Sequence, residues 1–209
     1  MILKRWVLGE LASNAYLLAD EDSRVALVVD PGGDPSPIID FIERNKFNLK
    51  YILNTHGHAD HIAGNAAIKR RYEGAKILIH REDAPMLTSP ALNLSVWLGS
   101  VIISPKADVY LNNGDLIELG NLKIEVIHTP GHTPGSVCFY VREAYLLFSG
   151  DTLFCRSVGR TDFPGSSWES LIDSIKNRLF KLPRLTKVYP GHGEETTIEE
   201  EIYGNPFLV

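Results

Sequence analysis

The chain lacks several features that would place it in a particular class of protein. It has only two cysteines, Cys138 and Cys155, among 209 residues, so no disulfide framework is expected. No stretch reaches the roughly 18 consecutive apolar residues of a membrane-spanning helix. The apolar start of the chain is interrupted at once by Lys4 and Arg5, whereas a secretory signal needs about 7–15 apolar residues there. We therefore expect a cytoplasmic protein that does not enter a membrane.

An excess of positive charge is also missing. The 21 lysines and arginines are outnumbered by 26 aspartates and glutamates, which gives a formal charge of −5. The longest basic run, Lys69-Arg70-Arg71, is too short to follow a phosphate backbone. Nucleic acid is therefore not expected as a partner. The length and a hydrophobic content of 44% suit one buried core, so we predict a single domain over residues 1–209, as a monomer or small homo-oligomer.

What the chain does contain is histidine and aspartate at the spacing of a two-metal site. Residues 55–61 read Thr-His-Gly-His-Ala-Asp-His, and three further candidates stand in separate turns rich in glycine and proline. The candidate ligands are His56, His58, Asp60, His61, His132, Asp151 and His192. Imidazole nitrogen and carboxylate oxygen suit zinc, iron and manganese. Seven such groups are too many for one tetrahedral ion, so they predict two metals about 3.5–4 Å apart.

The local spacing divides these ligands between the two metals. The first two histidines of the segment would diverge in a regular helix, so we expect them in a loop, on one metal. Asp60 and His61 are then expected on the other metal. Each metal takes one of the two later histidines, which the spacing alone does not assign, and Asp151 can bridge both metals.

Each of these ligand groups follows a short apolar stretch that is typical of a buried strand. The stretches are Tyr51–Leu53, Leu122–Ile127, Tyr145–Phe148 and Lys187–Tyr189. Further strands are predicted at Leu3–Leu8, Ala15–Leu18, Val25–Val29, Lys76–Ile79, Leu116–Leu119 and Val137–Val141. Rigid strands of this kind can direct the loops at their ends towards one crevice, which is the usual place for ligands in α/β sheets.

Three helices are predicted between these strands. One begins at Ser36, one covers Ile62 to about Tyr72, and one runs from Ser166 to about Phe180 with a capping box formed by Ser166 and Glu169. Strands and helices thus alternate in both halves of the chain. This pattern predicts an α/β fold with two mixed sheets face to face and helices outside, a four-layer αββα sandwich.

Residues 84–104 fit none of these patterns. They are apolar, with prolines and serines scattered through them, and are interpreted as a lid or binding loop, as a core helix with connectors, or as an oligomer contact. His80 and His128 stand outside the ligand clusters, and a structural role is favoured for both.

The motifs together resemble the metallo-β-lactamase superfamily. They are His-Gly-His-Ala-Asp-His, Thr-Pro-Gly-His-Thr-Pro-Gly, Ser-Gly-Asp-Thr-Leu-Phe and Pro-Gly-His-Gly, in this order over nearly the whole chain. Within the superfamily the chain is most similar to the glyoxalase II group (hydroxyacylglutathione hydrolases), especially its short single-domain bacterial members. Residues 158–165 and the ending Gly-Asn-Pro-Phe-Leu carry that closer resemblance. It implies two zinc ions, with iron or manganese as alternatives. The implied ligand sets are His56, His58 and His132 on one metal, Asp60, His61 and His192 on the other, and Asp151 between them.

The resemblance implies hydrolysis of thioesters of the S-lactoylglutathione type. The metals would lower the pKa of bound water towards ~7, and the resulting hydroxide, held by Asp60 and Asp151, would attack the thioester carbonyl. Arg160 is implied as a residue that holds the glutathione moiety. An internal ion pair of Arg160 with Asp162 is the alternative interpretation.

Two departures from the glyoxalase II pattern weaken glutathione as the expected carrier thiol. The helical C-terminal domain of full-length members is not found within these 209 residues. Two tyrosines expected near the site are replaced by Asp162 and Glu194. The reaction class does not depend on these features.

Several other functions compete with thioester hydrolysis. A persulfide dioxygenase with one iron would use His56, His132 and Asp151, and a non-catalytic metal-binding module would need no turnover at all. A true β-lactamase is not expected, because such enzymes are normally exported and lack a bridging aspartate. The acidic charge disfavours a nuclease.

Overall fold

Two six-stranded sheets form the centre of the structure, a computed structural model that describes residues 1–208. The first sheet contains, in spatial order, β1 (Ile2–Leu8), β2 (Ser13–Asp20), β3 (Val25–Val29), β4 (Asn48–Leu53), β5 (Lys76–His80) and β6 (Val109–Leu111). Its first three strands are antiparallel, and β3 to β6 are parallel.

The second sheet is built by the remainder of the chain. Its strands are β7 (Leu116–Leu119), β8 (Leu122–His128), β9 (Val137–Val141), β10 (Leu146–Gly150), β13 (Lys187–Pro190) and β14 (Thr196–Thr197). Between β10 and β13, the strands β11 (Leu153–Phe154) and β12 (Ser157–Val158) form a separate small hairpin. The spatial order is β14-β13-β10-β9-β8-β7, with only β10 and β13 parallel. Both sheets are therefore mixed, as the sequence predicts.

Helices cover the outer faces of the two sheets. They are α1 (Ser36–Asn45), α2 (Ala59–Ile62), α3 (Asn65–Arg71), α4 (Trp168–Asn177) and α5 (Ile198–Gly204). The apolar residues form three clusters, one between the sheets and one under each helical layer. Neighbouring residues of β2 illustrate the division, because Leu17 packs under the helices and Leu18 packs between the sheets. The αββα prediction is confirmed.

Two helix predictions need correction. The helix expected from Ile62 to Tyr72 is divided into α2 and α3 at Gly64, where the backbone N–H donates to Pro31 O at 2.6 Å. A side chain at residue 64 would collide with that oxygen. The helix α4 is capped by Ser167, whose hydroxyl accepts from Ser170 N, and not by Ser166, which closes a turn with Phe163 instead.

Residues 84–104 contain no α-helix. They form two short 3₁₀ turns, Ala84–Thr88 and Ser95–Leu98, within a loop. The buried side chain of Asn93 closes this loop by donating to Met86 O and to Ile102 O. The interpretation as a core helix is therefore wrong. None of the helices within residues 1–208 is long and apolar enough to cross a membrane.

The packing between the sheets predicts where a shortened side chain costs most stability. Leu27 is fully buried in that layer, so Leu27→Ala is expected to lower the free energy of unfolding by about 2–5 kcal/mol. The matched control Leu116→Ala, at a leucine that is 64% exposed, should change it by less than about 0.5 kcal/mol. Urea unfolding followed by circular dichroism measures both. Equal losses in the two variants would contradict the placement of this core.

Candidate metal centre

The seven predicted ligands meet at one edge of the two sheets. They lie in the loops and the short helix that follow four strands, β4, β8, β10 and β13. The first of these strands belongs to one sheet and the other three to its partner sheet. The site is therefore built across the junction of the two sheets.

Three histidines form the first group. The ligating nitrogens of His56, His58 and His132 lie within 4.8 Å of one another, and His58 Nδ1 is 2.9 Å from His132 Nε2. Burial, reinforced by the neighbouring imidazoles, lowers the pKa of His56 well below its ordinary value and that of His58 to about 3. His56 Nε2 is buried without a hydrogen-bond partner. The imidazoles of His56 and His58 are thus neutral at pH 7, the form in which histidine binds a metal.

One carboxylate and two histidines form the second group. Asp60 Oδ2 lies 3.1 Å from His192 Nε2 and 3.4 Å from His61 Nε2. Burial opposes charge on all three residues. The attraction between the carboxylates and the imidazoles outweighs it, so the pKa of Asp60 is lowered and those of His61 and His192 are raised. The local field therefore favours a cation at this group, which a metal ion can supply in exchange for protons.

Asp151 lies between the two groups. Its Oδ1 is 3.4 Å from His61 Nε2, while its Oδ2 is 3.6 Å from His132 Nε2 and 3.7 Å from His192 Nε2. Oδ1 and His61 Nε2 are buried without a hydrogen-bond partner. A Cβ at Gly191 would lie 2.1 Å from that Oδ1, so only glycine permits this approach. Orphaned nitrogen and carboxylate atoms directed at one another fit two metal ions that share a carboxylate.

Asp30 orients two of the candidate ligands, and the sequence pattern does not predict this role. Its Oδ2 is 3.1 Å from His61 Nδ1 and accepts a 2.5 Å hydrogen bond from Thr55 Oγ1, while its Oδ1 accepts from Thr55 N. Thr55 Oγ1 in turn lies 3.1 Å from His56 Nδ1. Such partners fix the orientation of a ligating imidazole. Asp30 directly follows the apolar stretch of β3, the same signal that revealed the ligands themselves.

A second buried carboxylate, Asp83, connects two ligand loops. It accepts hydrogen bonds from Gly57 N at 3.0 Å, Thr133 Oγ1 at 2.6 Å and Gly135 N at 2.7 Å. Gly57 lies between two ligands of the first group, and Thr133 follows the third. Asp83 therefore holds together the two loops that form this group.

The strand β2 positions the second group through its first residues. Ser13 Oγ donates to Asp60 O at 2.6 Å. The Asn14 side chain donates to Pro190 O and to Gly193 O, both at 2.9 Å, on either side of His192. Nothing in the sequence pattern distinguishes these two polar residues from ordinary turn residues.

An open cavity of about 560 Å³ exposes five of the seven candidate ligands, and His56 and His61 lie outside its lining. Its lining residues are Leu11, His58, Asp60, Asn93, Leu94, Trp97, Leu98, His132, Asp151, Phe154, Arg160, Asp162, Phe163 and His192. The loop formed by residues 84–104 thus contributes one wall, as the lid or binding-loop interpretation expects. Arg160 is at the cavity, but its guanidinium pairs with Asp162, and its carbonyl oxygen is 2.8 Å from His132 Nδ1.

His80 and His128 do not line this cavity. Their rings stack at 4.1 Å with an angle of 10° between the planes, and His128 Nε2 is 2.9 Å from Pro134 O. Ligand atoms of His80, Glu82 and His128 also lie within 4.8 Å of one another, but this group is separate from the seven candidate ligands. The stacked arrangement supports the structural role expected for both residues.

Comparison with known proteins yields a family and several relatives. The model of the family described as the Metallo-beta-lactamase superfamily matches residues 8–192. The probable metallo-hydrolase YqgX of Bacillus subtilis is 36% identical over 206 residues, covering 98% of this chain and 96% of that protein. The hydroxyacylglutathione hydrolase GloC of Haemophilus influenzae is 36% identical over 201 residues, covering 93% of this chain and 92% of that protein.

Solved structures give a consistent result. The B3 metallo-beta-lactamase BLEG-1 superposes with a TM-score of 0.94 at 40% identity, covering 99% of each chain. TTHA1623 in a di-iron-bound form gives 0.86 at 34% identity, covering 98% of this chain and all of the other. ETHE1 from Myxococcus xanthus gives 0.80 at 30% identity, covering 99% of this chain and 84% of the other.

The hydrogen bonds of Asp30 predict how this residue affects metal affinity. Asp30→Asn keeps the shape of the side chain but removes the charge that orients His61, so affinity for a divalent metal should fall by about 10–100-fold. Competition with a chromophoric chelator measures the change, and Asp22→Asn, in the exposed turn after β2, is the control with equal loss of charge. Equal affinities in the variant and the wild type would refute the orienting role.

Proposed function

Because the chain belongs to the metallo-beta-lactamase superfamily, we propose that it is a hydrolase that depends on a pair of divalent metals. The observation that carries this proposal is the presence of two convergent ligand groups with the Asp151 carboxylate between them. The proposed ligands are His56, His58 and His132 for one metal, Asp60, His61 and His192 for the other, and Asp151 for both. Zinc is the proposed metal. The di-iron form of a structure 34% identical makes iron the first alternative.

Thioesters of the S-lactoylglutathione type are the proposed substrates. The 36% identity to a protein named hydroxyacylglutathione hydrolase, over 93% of this chain, supports this class. Chemistry supports it as well, because a thiolate leaves readily and needs no protein nucleophile. The cavity is open to solvent, and Asp60 and Asp151 are among its lining residues, so a thioester carbonyl can reach them.

Metals bound at this site would polarise the thioester carbonyl and lower the pKa of water towards ~7. The residues of the chain then have distinct tasks. Asp60 and Asp151 face the cavity and orient the attacking water by accepting its hydrogen bonds. Asp30 holds a proton on His61 Nδ1, and Arg160 O holds one on His132 Nδ1. Both Nε2 atoms are thereby left as lone-pair donors. Phe163 and Trp97 line the same cavity and offer apolar surface to the leaving thiol.

Hydrolysis of β-lactams is a second candidate function. The specific observation in its favour is the superposition with the B3 metallo-beta-lactamase BLEG-1, at a TM-score of 0.94 and 40% identity. The same site would attack an amide carbonyl in a strained ring. An amide nitrogen leaves less readily than a thiolate, so thioester hydrolysis remains the first proposal.

The ligand assignment predicts the effect of removing one histidine. We expect His56→Ala to lower kcat/KM for S-lactoylglutathione by more than about 100-fold. Substitution of a residue that only orients a metal ligand already lowers metal affinity or activity by about 10–100-fold. His128→Ala, outside the ligand groups, is the matched control and should keep most of the activity. Thiol release measures both variants, and elemental analysis gives their metal content.

The same measurements separate the competing functions. About two metals per chain with thioester turnover supports the proposal, and unchanged turnover in His56→Ala would contradict it. One iron per chain with oxygen consumption on glutathione persulfide would establish a persulfide dioxygenase instead. Metal binding without turnover of thioester, lactam or persulfide would indicate a non-catalytic module.

A further inference from the structure

Among the described residues, the cavity beside the proposed metal ligands is lined by one arginine and no lysine, and a neighbouring carboxylate pairs with that arginine. This arginine is Arg160. Its Nε donates to Asp162 Oδ1 at 3.0 Å, and its Nη2 donates to Asp162 Oδ2 at 2.8 Å. This is the bidentate geometry by which arginine binds a carboxylate of any origin. Asp162 therefore occupies the position that a substrate carboxylate would take.

We propose that Asp162 is a specificity-determining residue, which favours thioesters with an uncharged carrier thiol over thioesters whose carrier has carboxylates. This inference rests on the hydrolase function proposed above and names the part of the substrate that the cavity selects. It assigns no role to Asp162 in the chemical step.

The aromatic ring under the guanidinium keeps the pair in place. Arg160 Cζ lies 4.5 Å from the centroid of the Phe163 ring. The backbone of Phe163 is itself fixed by Ser166, whose hydroxyl accepts from Phe163 N at 3.1 Å and donates to Phe163 O at 2.6 Å. The guanidinium thus has one face on an aromatic ring and one edge on Asp162. A carboxylate that approaches the remaining edge meets a pair with no net charge.

The rest of the cavity wall offers little else to an anionic carrier. The apolar lining residues are Leu11, Leu94, Trp97, Leu98, Phe154 and Phe163. Trp97 is 63% exposed, so it has free surface for a carrier group, and apolar walls of this kind bind through buried area. The other carboxylates of the lining, Asp60 and Asp151, are proposed metal ligands and offer no cationic partner to a carboxylate of the carrier. Affinity for the carrier therefore comes mainly from apolar contact.

The pair is weak enough to be displaced, which determines the size of the effect. The side chains of Arg160 and Asp162 are 67% and 64% exposed, and solvent screens an ion pair at such positions. Asp162 should therefore reduce the affinity for a carboxylate-bearing carrier rather than exclude it. Releasing Arg160 should improve binding of such a carrier by roughly 3–10-fold, in line with the strength of exposed pairs and the lost repulsion.

Asp162 is a better position for the test than Arg160. The carbonyl oxygen of Arg160 lies 2.8 Å from His132 Nδ1, so a substitution there disturbs a proposed metal ligand as well as the guanidinium. Asp162→Asn keeps the size of the side chain and removes only its charge. Asp22→Asn, in the turn between β2 and β3, has the same loss of charge and is the matched control. The strand β2 begins at Ser13, which pairs with His192 at the candidate site. The turn with Asp22 follows the other end of this strand and is therefore distant from the site.

The experiment compares two thioesters with the same acyl group on the metal-loaded protein. S-Lactoylglutathione has carboxylates on its carrier, and S-lactoyl-N-acetylcysteamine has none. We expect the wild type to prefer the uncharged carrier. Asp162→Asn should raise kcat/KM for the glutathione thioester by roughly 3–10-fold, through KM with kcat unchanged, and should leave the other substrate unaffected. Asp22→Asn should change neither.

Binding of S-methylglutathione, a thioether that cannot be hydrolysed, provides a readout that does not need turnover. Its Kd, measured by calorimetry, should fall by the same factor in Asp162→Asn. An equal rise for both thioesters, or an unchanged Kd and an unchanged ratio of kcat/KM values, would overturn the inference. If neither thioester is hydrolysed but the Kd falls as expected, the hydrolase proposal fails and the role of Asp162 in selecting the carrier stands.

Discussion

The buried carboxylate of Asp30 is the interaction on which the geometry of the site depends most. It receives hydrogen bonds from both the backbone and the hydroxyl of Thr55 and contacts His61 Nδ1. A buried carboxylate without such partners would be strongly unfavourable, so folding itself requires these contacts to form. The orientation of two imidazoles is thereby determined by the same hydrogen bonds that stabilise the turn after β3. These two candidate ligands are thereby held in place by contacts within the protein.

The architecture explains why so many ligands reach one place. Strands from both sheets end at a common edge, and the loops beyond them are short and rich in glycine. Gly191 permits contact between two of these loops that any side chain would prevent. Asp83 joins two other loops, and β2 connects the first sheet to the loop of His192. Hydrogen bonds and close contacts of this kind hold together loops that have little regular structure of their own.

Much of this could be predicted from the sequence, because the relevant signals are local. Apolar stretches of three or more residues predicted most strands, and the polar residues after them marked the candidate ligands. The αββα fold followed from the alternation of elements. The predictions failed where a strand was short or where a contact joined residues far apart in the sequence. Strands of two or three residues, such as β11 and β14, give no periodic signal. The division of the helix at Gly64 depends on Pro31, which is remote in sequence.

The supporting residues were missed for a related reason. Asp30 and Asp83 act on residues 25 and 50 positions away, so only the folded chain shows their partners. The pairing of Arg160 with Asp162 involves residues two positions apart, and the sequence left it as one of two alternatives. The geometry shows that pairing.

Each group combines candidate ligands from both sheets. Those within residues 56–61 follow a strand of the first sheet, and His132, Asp151 and His192 follow strands of the second sheet. A cation bound by such a group would connect the two sheets. The unfolded chain has no comparable group of ligands for it. Binding to the folded state alone adds about 2.7 kcal/mol of stability when free ion exceeds the dissociation constant a hundredfold. In a cell short of metal, the unfolded fraction would rise and proteases would remove the chain. Metal supply would thus control the lifetime of this protein as well as its turnover.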